Sequence, residues 1–268
     1  MMMQGIGMEQ IISDLSKSLM DPKISVVGCG GAGNNIVNSL YWSNKNVHTV
    51  AINTDETKLQ EIDVHTKIQI GTDVTFGKSA NGFPDVGETC AELARGVISK
   101  VLKGSDIVFI VAGMGGGTGT GAAPVVADIA RELDVITFAI AIYPFSHEGG
   151  RREVAKEGVR RLKQATPNVI VLENDHLLDL VGDCTISESF GVIDRSISSI
   201  ISSLSERIVR ELQDQIRYEV SEALMEMDMG RTSKPAPMAV PEVLRAKSVA
   251  ADMEMPFIPS IAPQLYTR

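Results

Sequence analysis

Two glycine-dense stretches are the parts of this chain best suited to holding an anion. The first is Gly28-Cys29-Gly30-Gly31-Ala32-Gly33-Asn34-Asn35, and the second is Gly113-Met114-Gly115-Gly116-Gly117-Thr118-Gly119-Thr120-Gly121. Glycine lets a backbone approach a ligand closely and turn its N–H groups toward oxygen atoms. Where such a stretch opens a helix, the helix N-terminus adds partial positive charge. In the second stretch the hydroxyls of Thr118 and Thr120 add donors, so it reads as a phosphate cradle. Neither stretch carries the Gly-Lys-Ser/Thr of a P-loop.

The first loop alone is ambiguous. Its glycines at 28, 30 and 33, with Asp55 further on, satisfy the dinucleotide fingerprint, so an NAD-dependent oxidoreductase is one reading and a mononucleotide binder the other. The second loop favours the mononucleotide. Two phosphate loops exceed what a dinucleotide needs and suit the wrapping of a triphosphate.

The elements around these loops alternate. Apolar runs at 24–27, 49–53, 68–70, 107–111, 135–142 and 169–172 read as strands. Helical stretches start at Asn34 and run over 89–102, 124–133 and 153–165, with Pro124 just inside the third. Continuous apolar strands separated by helices predict an α/β fold with a Rossmann-like parallel sheet covered on both faces. The glycine loops then fall where such sheets bind ligands.

Beyond this core, Thr185 and Glu188 form a capping box before a long helical pattern ending at Gly230. One helix over 186–229 would extend about 66 Å, longer than a compact domain is wide. Its overhanging part carries Leu212, Ile216, Val220, Leu224 and Met227 along one face. The same helix of a second subunit would cover that face, giving a homodimer. The alternative cover is the chain's own tail with Met253, Phe257 and Ile258. The expected organisation is therefore an N-terminal amphipathic helix in 1–22, a nucleotide-binding domain over 23–184, a long helix over 185–230 and a flexible proline-rich tail over 231–268. The tail is a candidate for docking a protein partner.

Composition narrows the function classes. A net charge of -9 argues against a nucleic-acid binder. No apolar run approaches the roughly 20 residues that span a bilayer, and the N-terminus lacks a secretory pattern. Three cysteines without metal-ligand spacing read as reduced thiols, and the expected location is the cytoplasm.

The second loop's Gly-Gly-Gly-Thr-Gly-Thr-Gly, with the asparagine-ended first loop, resembles the FtsZ branch of the tubulin superfamily. Asn53-Thr54-Asp55, Pro144-Phe145 with Glu148 and Arg152, and Asn174-Asp175 follow in the family's order, so the resemblance covers roughly residues 22–200. It implies a GTP-binding domain holding GTP or GDP, with Mg2+ following from the triphosphate charge. Residues Gly30, Gly31, Ala32, Gly33, Asn34 and Asn35 would hold phosphates, as would Gly115, Gly116, Gly117, Thr118, Gly119 and Thr120. By the same resemblance Glu148 contacts the sugar, Arg152 lies near the phosphates, Asn174 contacts the nucleoside, Phe190 packs on the base and Asp194 reads it. Chemistry agrees for the last residue, since a carboxylate accepts from both N1–H and the exocyclic amine of guanine.

One family feature is missing. After the central helix the family carries Asn-x-Asp-x-x-Asp and a second domain, whose carboxylates act on the nucleotide of the next subunit. Here only Glu226 and Asp228 precede Met-Gly-Arg-Thr-Ser. The expectation is an FtsZ-like cytoskeletal or scaffold protein, connected with division or membrane remodelling by family analogy, with weak or no GTP hydrolysis. An assembly-dependent GTPase using other carboxylates is the alternative.

Overall fold

The computed structural model describes residues 22–175 and 186–228, with some side chains of the last helix left out. The expected N-terminal helix, the capping residue Thr185 and the tail lie outside the described residues.

Six strands form one sheet: β1 (Ile24–Cys29), β2 (Val47–Asn53), β3 (Thr66–Gln69), β4 (Ile107–Gly113), β5 (Ile136–Tyr143) and β6 (Val169–Glu173). Their order is β3-β2-β1-β4-β5-β6, and every pair is parallel. Each central strand buries side chains on both faces, which explains the continuous apolar runs. Val27, Val50, Ile110 and Ala139 face one core, while Val26, Ala51, Phe109 and Ile140 face the other.

The helices sort onto the two faces. On the first lie α4 (Pro84–Leu93), α5 (Arg95–Leu102), α6 (Thr118–Glu132) and α7 (Gly149–Ala165), contributing Ala91, Ile98, Ala123, Ile129 and Leu162. On the second lie α1 (Gly30–Ser43), α2 (Glu56–Gln60) and α8 (Ile186–Asp228), contributing Ile36, Leu40, Leu59, Ile197, Ile201 and Ile208. A short α3 (Thr72–Thr75) follows β3.

Three expectations about local structure change. The first strand continues to Cys29, because Gly28 pairs through its backbone with Ala51 and Val111, and α1 starts at once at Gly30. The helix expected over 89–102 is two helices, starting at Pro84 and interrupted at Ala94, whose ψ is 4°. The third helix starts at Thr118, so Pro124 lies inside it. A proline there forfeits one backbone bond, which the burial of the surrounding alanines offsets. The long helix, by contrast, spans Ile186–Asp228 without interruption. It packs chiefly on α1 and runs alongside it in the same direction, with Ser198 at Ile36 and Ser202 at Asn44.

Candidate functional site

The ends of β1 and β4 stand side by side, with Cys29 opposite Ala112, and this pairing brings the two glycine loops together. They form walls of a cleft of about 490 Å3 at the C-terminal edge of the sheet. Gly30, Gly31 and Ala32 line it from α1, and Gly115, Gly116, Gly117, Thr118 and Gly119 line it from the loop after β4 and the start of α6. Gly150 and Arg151 add the start of α7. These three helices share a property: none has a side-chain N-cap bond or an acidic residue in its first turn. Their first N–H groups have no partner within the helix and carry the positive end of its dipole. Three such ends lining one cleft bring together the donors from which an anion site can be built from backbone.

Two glycines make the approach possible. Gly30 has φ of 72°, and a Cβ there would lie 2.7 Å from the Gly119 amide nitrogen. Gly115 has φ of 88°, and its Cβ would lie 2.6 Å from the Arg151 carbonyl oxygen.

Other sequence-predicted residues brace the cradle, some of them from outside its lining. Gly33 tucks under the Val111 carbonyl oxygen. Asn34 is buried; with its amide oriented to satisfy its neighbours, it donates to the Gly28 and Gly30 carbonyl oxygens at 2.8 and 3.2 Å. Its oxygen accepts from Asn53 at 3.0 Å, which locks the first loop to β2. Asn35 is exposed on α1. Thr120 is committed internally, accepting from the Gly115 N–H at 2.9 Å, and the Thr118 hydroxyl meets that of Thr54 at 2.8 Å. Asp55, which also lines the cleft, caps α2 by accepting from the Lys58 N–H.

Adjacent arginines have different surroundings. Arg151 lines the cleft, donating from Nε to the Gly115 carbonyl at 3.3 Å and pairing with Glu148. Glu148 also accepts the Phe145 N–H at 3.0 Å, so it is anchored from both sides. Arg152 is turned toward the ends of β5 and β6. It donates to the Pro144 carbonyl at 3.1 Å, pairs with Asp175 and Glu173 at 3.2 and 3.3 Å, and sits 4.9 Å from the Tyr143 ring centroid. Chiefly the Ser146 N–H, with Arg152 adding to it, holds the Asp175 carboxyl below its usual range.

The remaining predicted contacts flank the cleft. Asn174 is buried just past β6, and its Oδ1 has no hydrogen-bond partner among the described residues. Gln69 Nε2 shares that condition at the end of β3, so both orphaned groups lie on the cleft's edge of the sheet. Asp194 stands one turn before Ser198, toward the N-terminal half of α1. Burial pushes its carboxyl up to about 6, against the pull of Arg195. Phe190 belongs to α8, but its side chain lies outside the described residues.

Sequence reasoning passed over Lys58, Ser79, Gly82, Gly150 and Arg151, which also line the cleft. For Ser79 and Gly82 a signal existed. Gly77-Lys78-Ser79-Ala80-Asn81-Gly82 is a turn-rich run ahead of Pro84, and Gly77, Asn81 and Gly82 all have positive φ.

Residues 23–182 match the family model described as Tubulin/FtsZ family, GTPase domain. The chain is 44% identical over 206 residues to Cell division protein FtsZ 2 of Halobacterium salinarum, covering 76% of this chain and 52% of that protein. It is 43% identical over 201 residues to Cell division protein FtsZ 2 of Methanocaldococcus jannaschii, covering 73% and 53%. A solved structure, the empty FtsZ dimer from M. jannaschii, is similar with a TM-score of 0.69 and 39% identity, covering 75% of this chain and 59% of that one. The chain spans about half the length of the curated relatives it matches.

Proposed function

This chain belongs to the tubulin/FtsZ family, and on that premise we propose that it binds GTP or GDP and acts as an FtsZ-like cytoskeletal or scaffold protein in cell division or membrane remodelling. The observation that carries this reading is the convergence of three uncapped helix N-termini on one cleft. Their N–H groups hold the phosphates, and Arg151 neutralises charge beside the Gly115–Gly117 turn. Asp194 accepts from the guanine edge, for which adenine has no matching donor pair. The orphaned Asn174 Oδ1 supplies an acceptor toward the nucleoside. Among the described residues no cluster of three His, Cys, Asp or Glu side chains is arranged for a metal. An Mg2+ ion accompanying the triphosphate would be held chiefly by phosphate oxygens and water.

The test is nucleotide content and selectivity. Protein purified without added nucleotide releases guanine nucleotide on denaturation. GTP at about a hundred times its Kd stabilises the fold by about 2.7 kcal/mol. For this size the melting point rises by about 5–11 °C. ATP and NAD give almost no shift, and Asp194→Ala erases the preference. Equal shifts with GTP and ATP in the wild type would overturn the guanine assignment.

Hydrolysis by this chain alone is slow, since its 268 residues hold no Asn-x-Asp-x-x-Asp to position water. The subunits pair through α8, whose described residues Arg210, Glu211, Asp214, Tyr218 and Glu222 are exposed beyond the part packed on the domain. Sedimentation and turnover measured over one concentration range check both points. The expected result is a dimer whose turnover per subunit stays flat, with Ile216→Glu/Val220→Glu giving a GTP-binding monomer. Turnover rising steeply with concentration would favour the assembly-dependent GTPase.

A further inference from the structure

The opposite edge of the sheet, at the N-terminal ends of β1 and β2, carries a continuous patch of rings and lysines. Trp42, the only tryptophan in the chain, is 69% exposed near the C-terminal end of α1. Its ring meets Tyr41 edge-on at 5.3 Å between centroids, Tyr41 meets His65 at 4.9 Å, and His65 lies 5.0 Å from His48. The two histidines open onto a surface cleft of about 460 Å3 that Lys23, Lys45 and Lys103 also line. All three lysines are exposed, and none is ion-paired with a described residue. The nearby carboxylate of Asp106 is occupied by the Lys23 backbone N–H at 2.8 Å. Burial, with His65 beside it, holds His48 below the usual histidine range.

We propose that this face docks on an anionic lipid surface, with Trp42 at headgroup level and Lys23, Lys45 and Lys103 over the lipid phosphates. A protein of net charge -9 is repelled by such a surface except where cations are concentrated, and here they are concentrated. Protein–protein interfaces select arginine and are depleted in lysine. Every full-time cation lining this cleft is lysine. An exposed tryptophan beside lysines is the composition of the membrane–water boundary, where the ring's amphipathic character is satisfied. Each lysine near an anionic leaflet strengthens binding about fivefold. Docked in this way, the chain turns its nucleotide cleft away from the lipid.

The single tryptophan makes the test direct. Full-length protein is mixed with vesicles of phosphatidylglycerol and phosphatidylcholine, and Trp42 emission and co-sedimentation are followed together. The expected result is a blue shift with pelleting that phosphatidylcholine alone does not produce and that salt reverses. Lys45→Glu/Lys103→Glu weakens partitioning by roughly 25-fold or more. The GTP-induced melting shift, read at the other edge, is retained in this variant and shows that it folds. Pelleting without a change in Trp42 emission, or undiminished in the lysine variant, overturns the proposal. An equal shift with polyglutamate also overturns it, in favour of an acidic protein partner.

Discussion

At the C-terminal edge of the sheet, backbone supplies positive charge alongside Arg151 and Lys58; at the N-terminal edge side chains alone supply it. The first edge gathers the starts of α1, α6 and α7 around glycines. The second gathers helix ends, and there Lys45 follows α1 and Lys103 caps α5. Both arrangements follow from one property of a parallel sheet. Each strand-to-helix unit points the same way, so positive dipole ends collect at one edge and negative ends at the other. Lysines at helix ends answer those dipoles, while the exposed Trp42 ring has no such explanation. The difference teaches where each edge is vulnerable: the cradle fails when atoms are added, and the patch fails when charge is removed.

The largest expected effect comes from adding one methyl group to the cradle. Gly30→Ala forces a left-handed residue and drives a Cβ into the Gly119 amide. The expected cost is about 2–5 kcal/mol of stability. Urea unfolding reads that cost, and the GTP-induced melting shift vanishes. A variant that keeps the shift would mean that the two loops do not need this close approach.

A smaller effect separates the neighbouring arginines. Arg151→Ala removes a charge-assisted contact worth about 1.5–3 kcal/mol, so GTP binding weakens by about tenfold or more. Guanosine binding, measured by the same titration, stays within error. Arg152→Ala breaks half-exposed ion pairs and lowers stability by at most about 1 kcal/mol. The reverse pattern would return the phosphate contact to Arg152 and show that the start of α7 rotates on binding.

The smallest effect is the cost of keeping Asp194 charged. Its carboxyl lies near 6 in the folded chain against an ordinary 3.8. The folded state therefore holds the extra proton between those values. The stability this supplies is complete below about pH 4 and is lost as pH rises through about 6. At pH 7 Asp194→Asn should raise the stability of the nucleotide-free protein by about 1 kcal/mol, allowing for partial solvent access. At pH below 4 the variant and the wild type should coincide. Denaturant curves at the two pH values check this, and destabilisation at pH 7 would mean that Asp194 has a partner among the side chains outside the described residues.

Much of the cradle was legible because it depends on residue type alone. A run such as Gly115–Gly119 excludes most alternatives to close backbone approach, and the buried strands announce themselves by apolar runs such as 107–111. What escaped depends on rotation and on neighbours. Arg151 and Arg152 are consecutive on α7, about 100° apart around its axis, and the sequence carries no mark of which one faces the cleft. Pro124 read as a helix start because local rules place it there, yet packing on both sides of α6 carries the helix back to Thr118. Gly28 read as loop because it lacks a side chain, although a central strand needs only its backbone.

The pairing of β1 with β4 has a consequence for how the chain reaches this state. Ile24 bonds alongside Ile107, partners roughly 80 residues apart, whereas β1 and β2 meet across the single helix α1. Closing so long a loop is the slow, entropically costly event in assembling a sheet of this kind. The proposed nucleotide cleft straddles that very seam, so it cannot exist before the seam closes. In refolding, recovery of nucleotide binding should therefore trail the recovery of helical signal, making the ligand a clock for the last long-range contact of the sheet.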